Sequence, residues 1–266
     1  MDRKHNCGIY EYVQGETIPM NKVGAAEIDR AANFLFSINE CKPAARLVSV
    51  PMASEACFSL EEIFENISTR FERLKKTEGD HQEALRDFLF NHFIPAFNHF
   101  KQRAKSAYQE FEIRTYSKLP EDKRVLSPSD FGFHNSLRRE DGTYCFLDFE
   151  YFGWDDPAKT ISDFLMHPSM NLNAELGNRF MEKVISKFSS DTQLRHRFNA
   201  VFPLFGLKWC LILLNEFIRD EMERRFFAAD MALHRSDILA EQLYASNEML
   251  KKLRSEYEKR EQMRSH

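Results

Sequence analysis

Between Ser127 and Pro157 the chain reads SPSDFGFHNSLRREDGTYCFLDFEYFGWDDP, and Asp130, Asn135, Asp148, Glu150, Asp155 and Asp156 crowd into it among aromatic residues. Asp141-Gly142 sits between two β-like flanks, NSLRR and TYCFLDF. Asp-Gly is a strong short-range hairpin signal because both residues tolerate positive φ. A hairpin turning there runs the flanks antiparallel. It sets Asn135, just before the first strand, beside Asp148, at the end of the second. Two oxygen donors at neighbouring strand ends suit a hard cation such as Mg²⁺, with phosphate oxygens and water completing the shell. Asp130 precedes Asn135 on the same loop. A carboxylate close to such a metal, but held off it, can orient a hydroxyl and take its proton as the oxygen attacks phosphorus. In-line phosphoryl transfer asks chiefly for positioning and charge neutralisation, so Asp130, Asn135 and Asp148 form a sufficient core set.

Each residue also has a plainer reading. Asp and Asn are common turn-formers, and it is the apolar strand ending at Asp148 that favours chemistry for Asp130 and Asn135. Glu150 either orders the metal site and meets substrate or is a surface residue. Asp156 before Pro157 is the pattern of a helix N-cap with proline at the first helical position, a structural role. Asp155 could reach a substrate amine, but reads better as a solvated turn residue. Tyr151, Phe152 and Trp154 could line a pocket for a cationic substrate by cation–π contact; packing beside the hairpin is the plainer alternative, as is core packing for Trp209. His92 and His99 share a helix face without a carboxylate or cysteine to complete a zinc set. No G-x-S-x-G, G-x-x-x-x-G-K-[ST] or G-x-G-x-x-G occurs, which argues against a hydrolase elbow, a P-loop and a Rossmann site.

D-x-x-x-x-N followed by a D-F-x strand end is the arrangement of the protein-kinase catalytic loop and metal site. More closely, SDFGFHN…FLDFEYFGWDDPAKTISDF resembles the aminoglycoside phosphotransferase and choline kinase-like family, which has the protein-kinase-like fold and phosphorylates small-molecule hydroxyls with ATP. The dense match runs from Ser127 to Phe164, and a weaker one, YEYVQGETI, is similar to the hinge between that family's two lobes. The resemblance implies that Asp130 is the catalytic aspartate and that Asn135 and Asp148 are the Mg²⁺ ligands. It implies that the hinge backbone at Glu11, Tyr12 and Val13 holds the adenine of ATP, and that Asp163 braces the catalytic loop. Two features depart from the pattern. Pro128 stands where the family has a structural histidine, and only nine residues precede Tyr10. The second departure implies that the N-terminal nucleotide lobe, with its covering loop and phosphate-binding lysine, is missing from this chain. Weak ATP affinity and poor turnover are then expected, unless a separately encoded N-lobe or a homo-oligomer completes the site. A non-catalytic kinase-like module that binds a small polar ligand or a protein is the alternative, and a metal-dependent hydrolase a weaker third.

The rest of the chain must position these residues. Apolar residues at helical spacing predict helices over about 22–39, 59–77 and 81–110, the last kinked at Pro95, and after Pro157 over about 158–166, 173–189, 192–217 and 233–263. Ser59 with Glu62 is a capping-box pattern for the second. Residues 8–14 read as a short strand and GETIPMN as a turn. Pro43 is expected to break the chain after the first helix, with 44–59 irregular and 111–126 a polar connection. The expected fold class is α+β, predominantly helical: a remnant hinge over 1–20, then a kinase-like C-terminal lobe over 21–266 carrying a β element at 124–153. The composition is globular, with 25 Phe promising an aromatic core. A net charge of −4 gives no global attraction to nucleic acid or an anionic membrane. Residues 201–217 are apolar but short and interrupted by Lys208, which fits a core helix better than a membrane span. Five widely spaced cysteines and no apolar leader suggest reduced thiols in the cytoplasm.

Overall fold

The computed structural model describes residues 11–218 and 235–264. The start of the expected strand at 8–14, with Tyr10, lies outside them. Within them, residues 11–15 have no regular structure, and the first strand is β1, Glu16–Thr17, inside the stretch expected to be a turn. A strand forms where an edge can pair with it, and here Glu16 and Thr17 lie opposite Arg138 and Leu137.

The first helix, α1 (Ala25–Glu40), starts with Glu27 accepting the Gly24 N–H at 3.0 Å. Pro43 does not leave an irregular stretch as expected. It opens a short helix, α2 (Lys42–Leu47), because a proline in the first turn sacrifices only an N–H that has no helical partner. Helix α3 (Leu60–Lys75) has the expected cap: the Glu62 N–H donates to Ser59 Oγ at 3.2 Å, and Glu62 Oε2 accepts the Phe58 N–H at 2.7 Å. The long helix is α4 (Gln82–Asp87) running through a π-helical turn at Phe88–Phe93 into α5 (Ile94–Glu110). Pro95 cannot donate to a carbonyl in the preceding turn, and the wider π turn sits just ahead of it.

Two small sheets follow. Strand β2 (Val125–Ser127) pairs antiparallel with β5 (Gly153–Asp155), and β3 (Ser136–Arg138) pairs antiparallel with β1 and with β4 (Tyr144–Phe146). The β3–β4 hairpin forms as expected, with one difference. Only Gly142 takes positive φ (77°); Asp141 does not. The Arg139 N–H donates to Thr143 O at 2.9 Å and the Gly142 N–H to Arg139 O at 3.0 Å, so the loop is three residues long and needs a left-handed residue only at its end. Asp141 Oδ1 instead ties the loop by accepting from the Thr143 N–H and hydroxyl.

Helices α6 (Pro157–Met166), α7 (Ala174–Lys187), α8 (Leu194–Ile212) and α9 (Arg235–Arg264) complete the described chain. Helix α8 is apolar on nearly every side, so it must be surrounded, and α3, α5, α6 and α9 pack around it. By length and composition the segment Leu194–Phe217 could cross a membrane, but 67% of its most apolar window is buried inside the protein. The phenylalanines do build the core. Phe164 stacks on Phe180 at 3.8 Å, Phe34 on Phe146 at 4.4 Å, and Phe131 sits 5.0 Å from Phe146 and 5.2 Å from Phe164. A second small cluster holds Ala45, Phe58, Leu119, Leu126 and Trp154. Asn39 on α1 clamps β2, accepting from the Leu126 N–H and donating to Leu126 O, both at 2.9 Å.

Candidate active site

The loop after β2 reverses sharply. Ser129 has φ 69°, its N–H donates to Ser127 Oγ at 3.1 Å, and the Asp130 N–H donates to Pro128 O at 3.0 Å. Phe131 and Phe133, both buried, anchor the loop in the aromatic core on either side of Gly132. The alternation of Asp130, Phe131, Gly132, Phe133 and His134 is therefore mechanical: apolar residues face in, and Asp130 and His134 face the opening.

Asn135 follows directly. Its Nδ2 donates to both Asp130 O and Asp130 Oδ2, each at 3.1 Å, which directs its amide oxygen elsewhere. Asn135 O accepts the Leu147 N–H at 2.8 Å, one step beyond the Ser136–Phe146 pair of the β3–β4 ladder. The hairpin thus brings Asp148 alongside Asn135. Asp148 has φ 61°, a left-handed conformation Asp adopts more readily than most residues, and it is exposed. The Tyr151 hydroxyl, bonded to Glu150 and in the field of both Asp148 and Asp130, has its pKa raised to about 12. Asn135 Oδ1 and the Asp148 carboxylate are hard oxygen donors of the kind Mg²⁺ takes, and the bond of the Leu147 N–H to Asn135 O sets their backbones at neighbouring ends of the hairpin.

Asp130 is held by more than Asn135. Its Oδ1 lies 3.0 Å from His134 Nε2 and 3.4 Å from His167 Nε2. The two imidazoles are parallel, 3.8 Å apart and 5° from coplanar orientation. The hydrogen bond from His134 lowers the Asp130 pKa against the opposing effect of burial, so the carboxylate is ionised. Burial, with His134 next to it, drops the His167 pKa to about 4 and keeps that ring neutral. Nothing in the spacing of the sequence singled out either histidine. His167 follows the last residue of α6, and only the packing of that helix brings it to the loop.

The remaining expectations divide. Asp156 caps α6, accepting the Ala158 N–H at 2.7 Å, and also pairs with Arg197 at 3.0 Å. Asp163 is buried, with Oδ2 3.0 Å from Lys159 Nζ, and it accepts from Trp209 Nε1 at 3.1 Å. Trp209 lies edge-on to His167 at 4.6 Å, so Asp163 reaches Asp130 through Trp209 and His167 rather than by a direct bond to the loop. Glu150 is exposed near the site. Asp155 is a correction: it is neither a solvated turn residue nor in reach of a substrate. It is 0% exposed and pairs with Lys159 at 2.6 Å, because β5 carries it into the interior beneath α6. Trp154 takes the plainer of its two readings, core packing, and not a substrate pocket. It is buried in β5, and the cation above its ring is the chain's own Arg46, at 5.9 Å. At the hinge, Glu11 and Tyr12 are exposed and Val13 half-buried, with no described backbone pairing.

Comparison with solved structures places this mostly helical chain in the kinase-like fold. The chain is similar to an ethanolamine kinase of Plasmodium vivax (TM-score 0.54, 14% identity), covering 91% of this chain and 65% of that one. It is similar to a choline kinase of Cryptosporidium parvum (TM-score 0.53, 12% identity), covering 92% of this chain and 71% of that one. No protein-family model and no curated protein matches the chain. The expected resemblance to small-molecule kinases of the choline kinase type thus holds for the fold.

Proposed function

We propose that this chain belongs to a phosphotransferase that moves the γ-phosphoryl group of ATP to a hydroxyl of a small molecule. The observation that carries this reading is the double hydrogen bond of Asn135 Nδ2 to Asp130, supported by the backbone bond from Leu147, next to Asp148, to Asn135 O. Asn135 Oδ1 and the Asp148 carboxylate would hold Mg²⁺, which when bound offsets charge on the phosphates. Asp130 Oδ2 accepts the hydroxyl proton while the oxygen bonds to the γ-phosphorus, and the bond to the bridging oxygen breaks to release ADP. Glu11, Tyr12 and Val13 present the backbone that would hold the adenine. Glu150 and Tyr151, at the rim, face the reactants. The activity belongs in the cytoplasm, where ATP is available and free thiols such as Cys41, Cys57, Cys145 and Cys210 persist.

The alternative is a non-catalytic kinase-like module that binds a small polar ligand or a protein. We also propose that this chain alone binds Mg·ATP weakly and turns over slowly, and that a further segment, a separately encoded N-lobe or a second copy adds a grip on the ATP phosphates. The test is calorimetric titration with Mg·ATP, followed by phosphate transfer to choline, ethanolamine, aminoglycosides and simple sugars. Asp130→Asn should lower transfer by about 10²–10⁴-fold while leaving Mg·ATP affinity nearly unchanged. Equal rates in the variant would remove the catalytic reading.

A further inference from the structure

We propose that His134 and His167 act together as positioning residues, His134 donating a hydrogen bond from Nε2 to Asp130 Oδ1 and His167, stacked on it, turning its own Nε2–H towards the same oxygen, so that Oδ2 alone faces the acceptor hydroxyl. That consequence rests on the phosphotransferase reading above; the hydrogen-bond arrangement itself does not.

The proton positions follow from the partners. His167 Nδ1 accepts the Ser169 N–H at 3.1 Å, so in a neutral ring the proton must be on Nε2, which points at Asp130 Oδ1. The reverse tautomer would set two N–H groups against each other at Nδ1. His134 Nδ1 is buried without a partner. A proton there would leave an unsatisfied buried donor and turn the Nε2 lone pair towards a carboxylate 3.0 Å away, so its proton also sits on Nε2. Asp130 Oδ1 therefore accepts from His134 and faces the His167 Nε2–H at 3.4 Å. Asn135 Nδ2 takes one position on Oδ2, leaving the other for an incoming hydroxyl.

The same atoms have another reading. Asp130, His134 and His167 offer donor atoms within 4.8 Å of one another, a set compact enough for a transition metal. The Ser169 N–H argues against it. A histidine that binds metal through Nε2 carries its proton on Nδ1 and donates it to an acceptor, and here Nδ1 faces a donor.

The surroundings lock the rings. A Cβ on Gly132 would lie 2.7 Å from His134 Cε1 and Nδ1 and from Met170 Sδ, so the imidazole occupies the space that glycine vacates. Trp209 backs His167 edge-on and is itself fixed by Asp163. This bracing comes from residues that follow Asp130 in the chain, whereas Pro128 stands where the family that the sequence resembles has a structural histidine.

The test is nitrogen NMR of the histidine side chains in the full chain at neutral pH. The expected result is that both rings are Nε2–H tautomers and that Asp130→Asn shifts both Nε2–H signals. An Nδ1–H form for either ring, no response to Asp130→Asn, or stoichiometric Zn²⁺ uptake that removes both Nε2–H signals would overturn the proposal, whether or not the chain transfers phosphate. Mg·ATP hydrolysis, with water as acceptor, then reads the consequence. His167→Leu should lose about tenfold or more in kcat with KM for Mg·ATP held within about threefold, and His167→Gln, whose amide nitrogen can replace Nε2, should recover most of that loss. Correct tautomers with no hydrolysis in the unmodified chain would uphold the hydrogen-bond arrangement and count against the phosphotransferase reading alone.

Discussion

Lys159 shows what a single buried charge holds together. Its Nζ lies 2.6 Å from Asp155 and 3.0 Å from Asp163, and all three side chains are almost wholly out of water. Removing one partner of such a group leaves uncompensated charge, which costs about 3–5 kcal/mol. Lys159→Met is therefore expected to lower the unfolding free energy by that order. It would also leave two carboxylates facing each other, so folding would favour their protonated forms. A carboxyl whose folded pKa is raised adds stability below its unfolded pKa and loses it as pH rises. The deficit of Lys159→Met should thus shrink as pH falls, which urea melts at acid and neutral pH can check. Asp29 has the opposite sign. Its bond to Arg179, aided by Lys183, lowers its pKa from 3.8 to about 2, so its contribution is present above 3.8 and disappears as pH falls towards 2. The acid limb of thermal stability should be flatter in Asp29→Asn than in the unmodified chain; parallel limbs would mean that the α1–α7 bridge is not formed in solution.

The hairpin is the element on which the site depends, and its turn is its weakest point. Gly142, at φ 77°, has no neighbouring atom that a Cβ would strike, so the constraint there is backbone conformation alone. Gly142→Val should cost about 1–2 kcal/mol. Through the β3–β4 register it should also weaken Mg²⁺-dependent ATP binding, whereas Gly142→Asn, which tolerates the left-handed region, should lose far less. Titrations of both variants separate the turn from the ligands. Local signals of this kind were legible in the sequence: Asp-Gly for the hairpin, Ser59 with Glu62 for the start of α3, Asp156 with Pro157 for the start of α6. They act within a few residues, so neighbouring residues suffice to read them. What escaped depends on contacts across the fold. α1 does end ahead of Pro43, but Pro43 then opens α2, since a proline in the first turn gives up only an N–H with no helical partner. β1 lies at Glu16–Thr17 because β3 offers its edge there. Asn39, His167 and Trp209 act on partners that no local spacing brings near, His134 reaches Asp130 four residues back only because the loop reverses between them, and Asp155 is buried by a strand whose pairing with β2 spans the loop that carries Asp130.

At the scale of the molecule, α8 joins the site to the rest of the core. Trp209 and Lys208 lie on its face towards α6, with Lys208 3.5 Å from Asp163, while Gly206 meets α9 on another face. A Cβ on Gly206 would fall 2.8 Å from Leu253 Cδ1, so α9 approaches closely there and Leu253, 3% exposed, fills the gap. Leu253→Ala would empty that space against a helix that cannot move inwards, because α3, α5 and α6 already surround it. The expected cost is about 2–5 kcal/mol, the range for large-to-small changes in close-packed cores. Apolar residues from α1 and from α3 through α9 belong to one connected core, so the loss should appear as an equal drop in melting temperature by far-ultraviolet and aromatic circular dichroism. Below that temperature the histidine NMR signals at Asp130 should be unchanged, since no part of the Asp163–Trp209–His167 chain touches Leu253. A variant whose two melting curves separate, or whose histidine signals shift while the protein is still folded, would show instead that α8 moves as a lever between its two faces.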